Sequence, residues 1–239
     1  MAAIALVAAA TASVLAGPRT EPAAADPAPA VTGVDPTFGG GVVTASLSAQ
    51  RDVGAAVAVQ PDGSVVVAGE AGSGMEWPSS DLFVRRYTAA GALDGGFGAG
   101  GTALVDSGDA DGGRAVALQA DGKIIVAGTY RRGPAVVRLD PDGRLDTTFQ
   151  GGVVVLDGPD AASAVIVDPN GRIVAATADR VTRLTPDGAL DATFGHGGSA
   201  ALAGIGGPTS IALDGEGRIV AARCWPTRCT RAGPANTPR

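Results

Sequence analysis

Four copies of one phenylalanine-glycine block punctuate this chain of 239 residues, so the fold has to be assembled from repeats. The blocks run from Asp35 to Gly41, Leu93 to Gly101, Leu145 to Gly152 and Leu190 to Gly198, each centred on a phenylalanine: Phe38, Phe97, Phe149 and Phe194. The phenylalanines fall 59, 52 and 45 residues apart. A period of tens of residues marks solenoids and propellers, in which each repeat buries its faces only against its neighbours.

A second block follows each phenylalanine: Ala55 to Gly69, Arg114 to Gly128, Ala164 to Ala176 and Ser210 to Ala222. Its first arm alternates, with Val57 and Val59, Val116 and Leu118, Val165 and Val167, and Ile211 and Leu213 on one side. Asp-Gly, Asn-Gly or Glu-Gly then supplies a tight turn, which reads as a β-hairpin. The return arm, as in Val65 to Ala68 or Ile124 to Ala127, is apolar without alternation, as a strand covered on both faces should be. A third block ends at Asp94, Asp146 and Asp191 and reads as an outer strand plus turn. With the short run after each Gly cluster, these blocks give about four strands per module, the content of a propeller blade. Only 4% of residues are aromatic while 37 are Gly and 16 Pro, which suits short aliphatic strands separated by turns.

The fold class is therefore all-β, with β-propeller-like tandem blades, three complete and one incomplete; a β-solenoid is the alternative. The modules span about 34–92, 93–144, 145–189 and 190–222. Loop-bearing blades accommodate unequal spacing better than coils that must stack in register. Residues 223–239 are expected to form an irregular tail. Three and a half blades would leave open edges, which a second copy could fill, or which would mark a truncated fragment of a larger propeller protein.

Residues 1–25 read as a signal peptide: Ala2 to Ala16 is an apolar run too short for a comfortable membrane span, and Ala23-Ala24-Ala25 offers small residues for cleavage. A linker, 26–33, follows. No later stretch is long and apolar enough to span a membrane, so a secreted or cell-surface location is expected. The formal charge of −6 disfavours nucleic-acid partners.

Arg86, Arg138 and Arg183 recur ahead of Asp94, Asp146 and Asp191, and recurrence in successive modules points to a structural ion pair rather than catalysis. The single histidine, His196, lies in a Gly-rich turn and has no second histidine with which to bind metal or relay protons. Asp106, Asp109 and Asp111 surround a glycine bend, a weak calcium pattern that lacks a full ligand set; otherwise no cofactor is implied. A second run, Asp140, Asp142 and Asp146, reads in the same way. An insertion, Glu70 to Ser80, carries Met75, Glu76 and Trp77, candidates for contact with a cell-surface polymer or protein. Cys224 and Cys229 are the only cysteines and are close enough in sequence for one local disulfide.

The three blocks in this order resemble the bacterial delta-60 repeat over roughly Val34 to Ala222. That resemblance implies a β-propeller, frequent export and no established chemistry, and it contributes no catalytic residues. The function expected is that of an exported non-catalytic binding or structural module. A propeller hydrolase or lyase using carboxylates or calcium is the alternative.

Overall fold

The computed structural model describes residues 4–6, 34–48, 51–72, 80–202, 208, 210–225 and 228–232. Three four-stranded antiparallel sheets and one three-stranded sheet follow one another along the chain. The first comprises β3 (Asp52–Val59), β4 (Val65–Gly72), β5 (Ser80–Tyr87) and β6 (Thr102–Val105). The second comprises β7 (Gly112–Leu118), β8 (Ile124–Tyr130), β9 (Gly133–Leu139) and β10 (Val153–Val155). The third comprises β11 (Ala164–Val167), β12 (Ile173–Ala176), β13 (Arg180–Leu184) and β14 (Ser199–Ala201). The fourth comprises β15 (Ser210–Leu213), β16 (Ile219–Trp225) and β17 (Arg228–Ala232). Ahead of them β1 (Ile4–Leu6) pairs with β2 (Val43–Ala45). This is the expected all-β series of propeller-like blades. Among the described residues no helix is long and apolar enough to cross a membrane.

The sheets stack face to face, which explains the unbroken apolar second strands. On β8, Ile124 and Val126 point into a core shared with Phe97 and with Val66 and Val84 of the first sheet. Their neighbours Ile125 and Ala127 point the other way, into a core shared with Val165, Ile173 and Leu184 of the third sheet. A period-2 strand sandwiched between two sheets has no polar face to spare. Phe97 and Phe149 are fully enclosed between successive sheets, each contributing roughly 1.5–3 kcal/mol by burial alone.

Two features differ from the sequence reading. The run after each Gly cluster closes the sheet of the hairpin before it: β6 pairs with β5, β10 with β9 and β14 with β13. Sheet boundaries are consequently offset from the sequence modules by one strand, because the phenylalanine block turns the chain back onto the third strand. Residues 223–239 are also not wholly irregular. β16 continues to Trp225 and β17 returns along it, with Cys224 opposite Cys229.

Turn glycines seat one repeat on the next. Gly143 has φ +84°, and a methyl group there would lie 2.8 Å from the Phe97 ring and 2.9 Å from the Gly98 nitrogen. Gly122 also has φ +84°, but a methyl group would meet nothing nearer than Pro141 at 3.4 Å. Both alanine variants bear the left-handed backbone penalty of about 1–2 kcal/mol; Gly143→Ala must also displace the phenylalanine seat. Thermal melts should show Gly143→Ala losing clearly more stability than Gly122→Ala, and equal losses would refute this seating.

Candidate functional site

Strand direction sorts the connections onto two ends. Hairpin turns such as 60–64 and the phenylalanine blocks lie at one end; the connections 106–111, 131–132, 156–163 and 177–179 lie at the other. The first end is built from residues that recur in three modules; at the second, the Ser–Asp pair of Ser48 with Asp52 and Ser107 with Asp111 recurs, while the other residues described below do not.

At the turn end, Arg86 Nε lies 2.6 Å from Asp94, Arg138 Nε 2.8 Å from Asp146 and Arg183 Nε 2.7 Å from Asp191. The Arg138 contact is an ion pair lying off the hydrogen-bond line. Each guanidinium also covers the following phenylalanine, at 4.7, 4.4 and 4.7 Å from the ring centres of Phe97, Phe149 and Phe194. Arg86 donates to the carbonyl of Pro141, and Arg138 to that of Pro186, each in the turn of the next sheet. Hydrogen bonds from Gly96 N–H and then from Arg86 hold the Asp94 carboxyl below its ordinary range. At Asp191 the Thr193 hydroxyl leads and Arg183 adds to it. Burial pushes Asp146 up, but Thr148, Arg138 and Lys123 outweigh it. The Arg86 and Arg138 constellations are inter-sheet latches, the structural role that recurrence indicates, while the described contacts of Arg183 stay within its own turn, to Asp191, Thr193 and Phe194. The proline carbonyls escape sequence reasoning because any residue could supply them; the repeated Pro-Asp-Gly turn was the available signal.

At the loop end, buried carboxylates pin connections. Asp111 accepts hydrogen bonds from Ser107 N–H at 2.6 Å, Ser107 Oγ at 2.7 Å and Arg131 N–H at 2.8 Å. Asp52 does the same for Leu47 N–H and Ser48. Burial raises the Asp52 pKa, but these donors carry it below the ordinary range. Asp106 accepts from Gly108 N–H, and Asp109 faces Arg132 Nε at 2.8 Å. The three carboxylates of the calcium pattern thus serve separate donors. Among the described residues no group of three or more His, Cys, Asp or Glu could hold a metal ion. In the second acidic run, Asp140 accepts from Asp142 and Arg144 N–H, while Asp142 pairs with Arg144 at 2.9 Å.

Met75, Glu76 and Trp77 lie outside the described residues, as do the side chains of Cys224 and Cys229. The insertion's end is nonetheless fixed: Ser80 Oγ donates to the Asp111 carbonyl, and Asp111 N–H donates to Ser80 O. His196 is exposed in its turn. An open depression of about 550 Å³ on the rim, lined by Thr102, Leu104, Arg144 and Leu145 among others, gathers no converging set of polar groups.

Sequence reasoning missed the strain next to the Asp106–Asp111 connection. Arg131 and Arg132 form a two-residue hairpin turn with φ of 50° and 65°, although such turns favour Asn-Gly. Arg132 N–H donates to the Ala110 carbonyl, and Arg131 lies 5.6 Å from the Tyr130 ring centre. Positive φ at non-glycine residues costs of order 1–3 kcal/mol each, whereas the exposed Arg132–Asp109 pair returns little. Replacing Arg131-Arg132 by Asn-Gly should raise the melting temperature by a few degrees. A lower melting temperature would show that the arginines stabilise their turn.

Segments 60–97, 119–149 and 169–194 match the family model described as a domain of unknown function (DUF5122) beta-propeller. No curated protein matches the sequence. Among solved structures, a protein of unknown function from Bacteroides caccae is 12% identical with a TM-score of 0.47, covering 77% of this chain and 60% of its own. A gluconolactonase from Xanthomonas campestris is 15% identical with a TM-score of 0.43, covering 69% and 52%. A catalytically inactive virginiamycin B lyase from Staphylococcus aureus is 16% identical with a TM-score of 0.44, covering 78% and 57%. The chain spans little more than half the length of these structures, and the matched segments are those of a β-propeller domain of unknown function.

Proposed function

We propose that this chain is an exported, non-catalytic module of the delta-60 repeat type that binds a polymer or protein at or outside the cell surface through the loop end of its sheets. The observation that carries this reading is the division of labour between the two ends. The Arg–Asp pairs that recur lie at the turn end. At the other, the Asp106–Asp111 connection meets the Arg131-Arg132 turn and Ser80, the residue that follows the segment carrying Trp77 in sequence. A rigid repeat scaffold displaying variable loops is a common way to build a recognition surface.

A tryptophan side chain is suited to stacking on a sugar ring or anchoring in a protein pocket. Export would place Trp77 where such polymers occur. Purified protein incubated with insoluble cell-wall polysaccharide should be retained, and Trp77→Ala should weaken retention roughly tenfold or more while leaving the melting temperature unchanged. Equal retention of both proteins would remove the loop from the site. Absence of the chain from the growth medium and cell surface of the producing cells would contradict the location.

A further inference from the structure

We propose that Asn170 is a site of covalent modification: its side-chain amide is lost when the hairpin of the third sheet opens, so that the Asn170-Gly171 pair records that opening. The chain has two asparagines, Asn170 and Asn236, and the first alone precedes a glycine. The same hairpin turn in the other sheets carries Asp62-Gly63, Asp121-Gly122 and Glu216-Gly217. Asn170 is exposed, so water and hydroxide reach it. Its amide differs from the carboxylates at the other positions in being an uncharged electrophile with ammonia as leaving group, and the glycine that follows has no side chain to hinder attack.

The bond that forms joins the Gly171 backbone nitrogen to Cγ of Asn170 and closes a five-membered succinimide. The Gly171 nitrogen gives its proton to hydroxide; the side-chain nitrogen takes a proton from water and leaves as ammonia. One water then opens the ring. Attack at Cγ restores the ordinary backbone with aspartate at 170, whereas attack at the backbone carbonyl carbon of residue 170 leaves the chain running through the side chain, as isoaspartate.

The folded hairpin blocks the first step. Gly171 N–H donates to the Asp168 carbonyl at 2.9 Å, so the proton that must be lost is held within the turn. Ring closure requires the Gly171 nitrogen to eclipse Cβ of Asn170, a rotation that carries this N–H off the Asp168 carbonyl. The turn is pinned against that rotation. The buried Asp168 carboxylate accepts from Asn170 N–H at 2.9 Å, Arg172 N–H at 2.9 Å and Arg172 Nε at 2.6 Å. Beyond it, fully buried Ile173 pairs with Val167. Reaction therefore draws on the open hairpin, and the population of that state sets its rate.

The two products have different consequences. Aspartate at 170 puts an exposed carboxylate where Asp62, Asp121 and Glu216 already place one, so the hairpin closes again. Isoaspartate adds a backbone carbon inside the turn closed by Asp168 and Gly171, and the pairing of Val167 with Ile173 cannot return in register. β11 and β12 have four residues each, so this product leaves the third sheet without its first hairpin.

The test incubates the full chain in mildly alkaline buffer, native and in guanidinium chloride, and maps its peptides for the conversion of amide to acid at residue 170, with the two products separated. The unfolded chain should yield both products, and the native chain should convert roughly tenfold or more slowly. Asp168→Ala should speed conversion under native conditions, and Asn170→Asp should melt within about a degree of the parent. Equal rates for the native and unfolded chain would overturn the protection by the hairpin, and this comparison needs no variant to fold. No conversion in guanidinium chloride would overturn the site itself.

Discussion

The guanidinium of one repeat, resting on a phenylalanine and reaching the turn of the next repeat, is the interaction on which this architecture depends. Arg138 shows the arrangement in full. Its side chain is 5% exposed; it faces Asp146, covers Phe149, and donates to Thr148 Oγ1 and the Pro186 carbonyl. A charge so far from water requires an opposite charge and acceptors close by, so the geometry of the turn, the ring and the carboxylate is set together. Successive sheets otherwise touch through aliphatic side chains and through a few hydrogen bonds such as that from Gly98 N–H to the Asp142 carbonyl. The latch adds a charged, directional contact to this packing.

The same block explains the offset between sequence repeat and sheet. Asp, Phe and the glycine cluster fold back under the arginine, and the strand that emerges can pair only with the third strand it has just left. Each repeat therefore hands its opening strand to its predecessor. Among the described residues β2 accordingly belongs to none of the four-stranded sheets, and β15–β17 form a sheet of three.

Much of the fold was legible because alternation and turn chemistry are local. Val57 and Val59 before Asp62-Gly63, or Val116 and Leu118 before Asp121-Gly122, announce hairpins without knowledge of anything distant. The Arg–Asp pairs were legible because they recur at fixed spacing across a turn. What could not be read is non-local. Beyond a Pro-Asp-Gly triplet that also occurs at the hairpin turn of Pro61, nothing at Pro141 or Pro186 distinguishes a carbonyl that accepts from an earlier arginine. Nothing at Arg131-Arg132 signals positive φ, since the bonds that hold the turn come from Ala110 and Asp111, some twenty residues earlier. The tail after Ala222 lacks the repeat's motif, yet backbone pairing with β16 requires no motif, and β17 forms there.

The central claim is that the arginine latch couples neighbouring sheets, and it can be tested most directly with Arg138→Met, which keeps an apolar chain over Phe149 but removes the charge. The substitution leaves Asp146 buried without its main partner and the Pro186 carbonyl without its donor, a loss on the order of 3–5 kcal/mol. At about 2–4 °C per kcal/mol for a chain of this size, the melting temperature should fall by roughly 10 °C, with amide exchange accelerated in both the second and third sheets. A melting temperature within about a degree of the parent, with exchange unchanged across that boundary, would mean that aliphatic stacking alone holds the sheets and that the latch does not couple them.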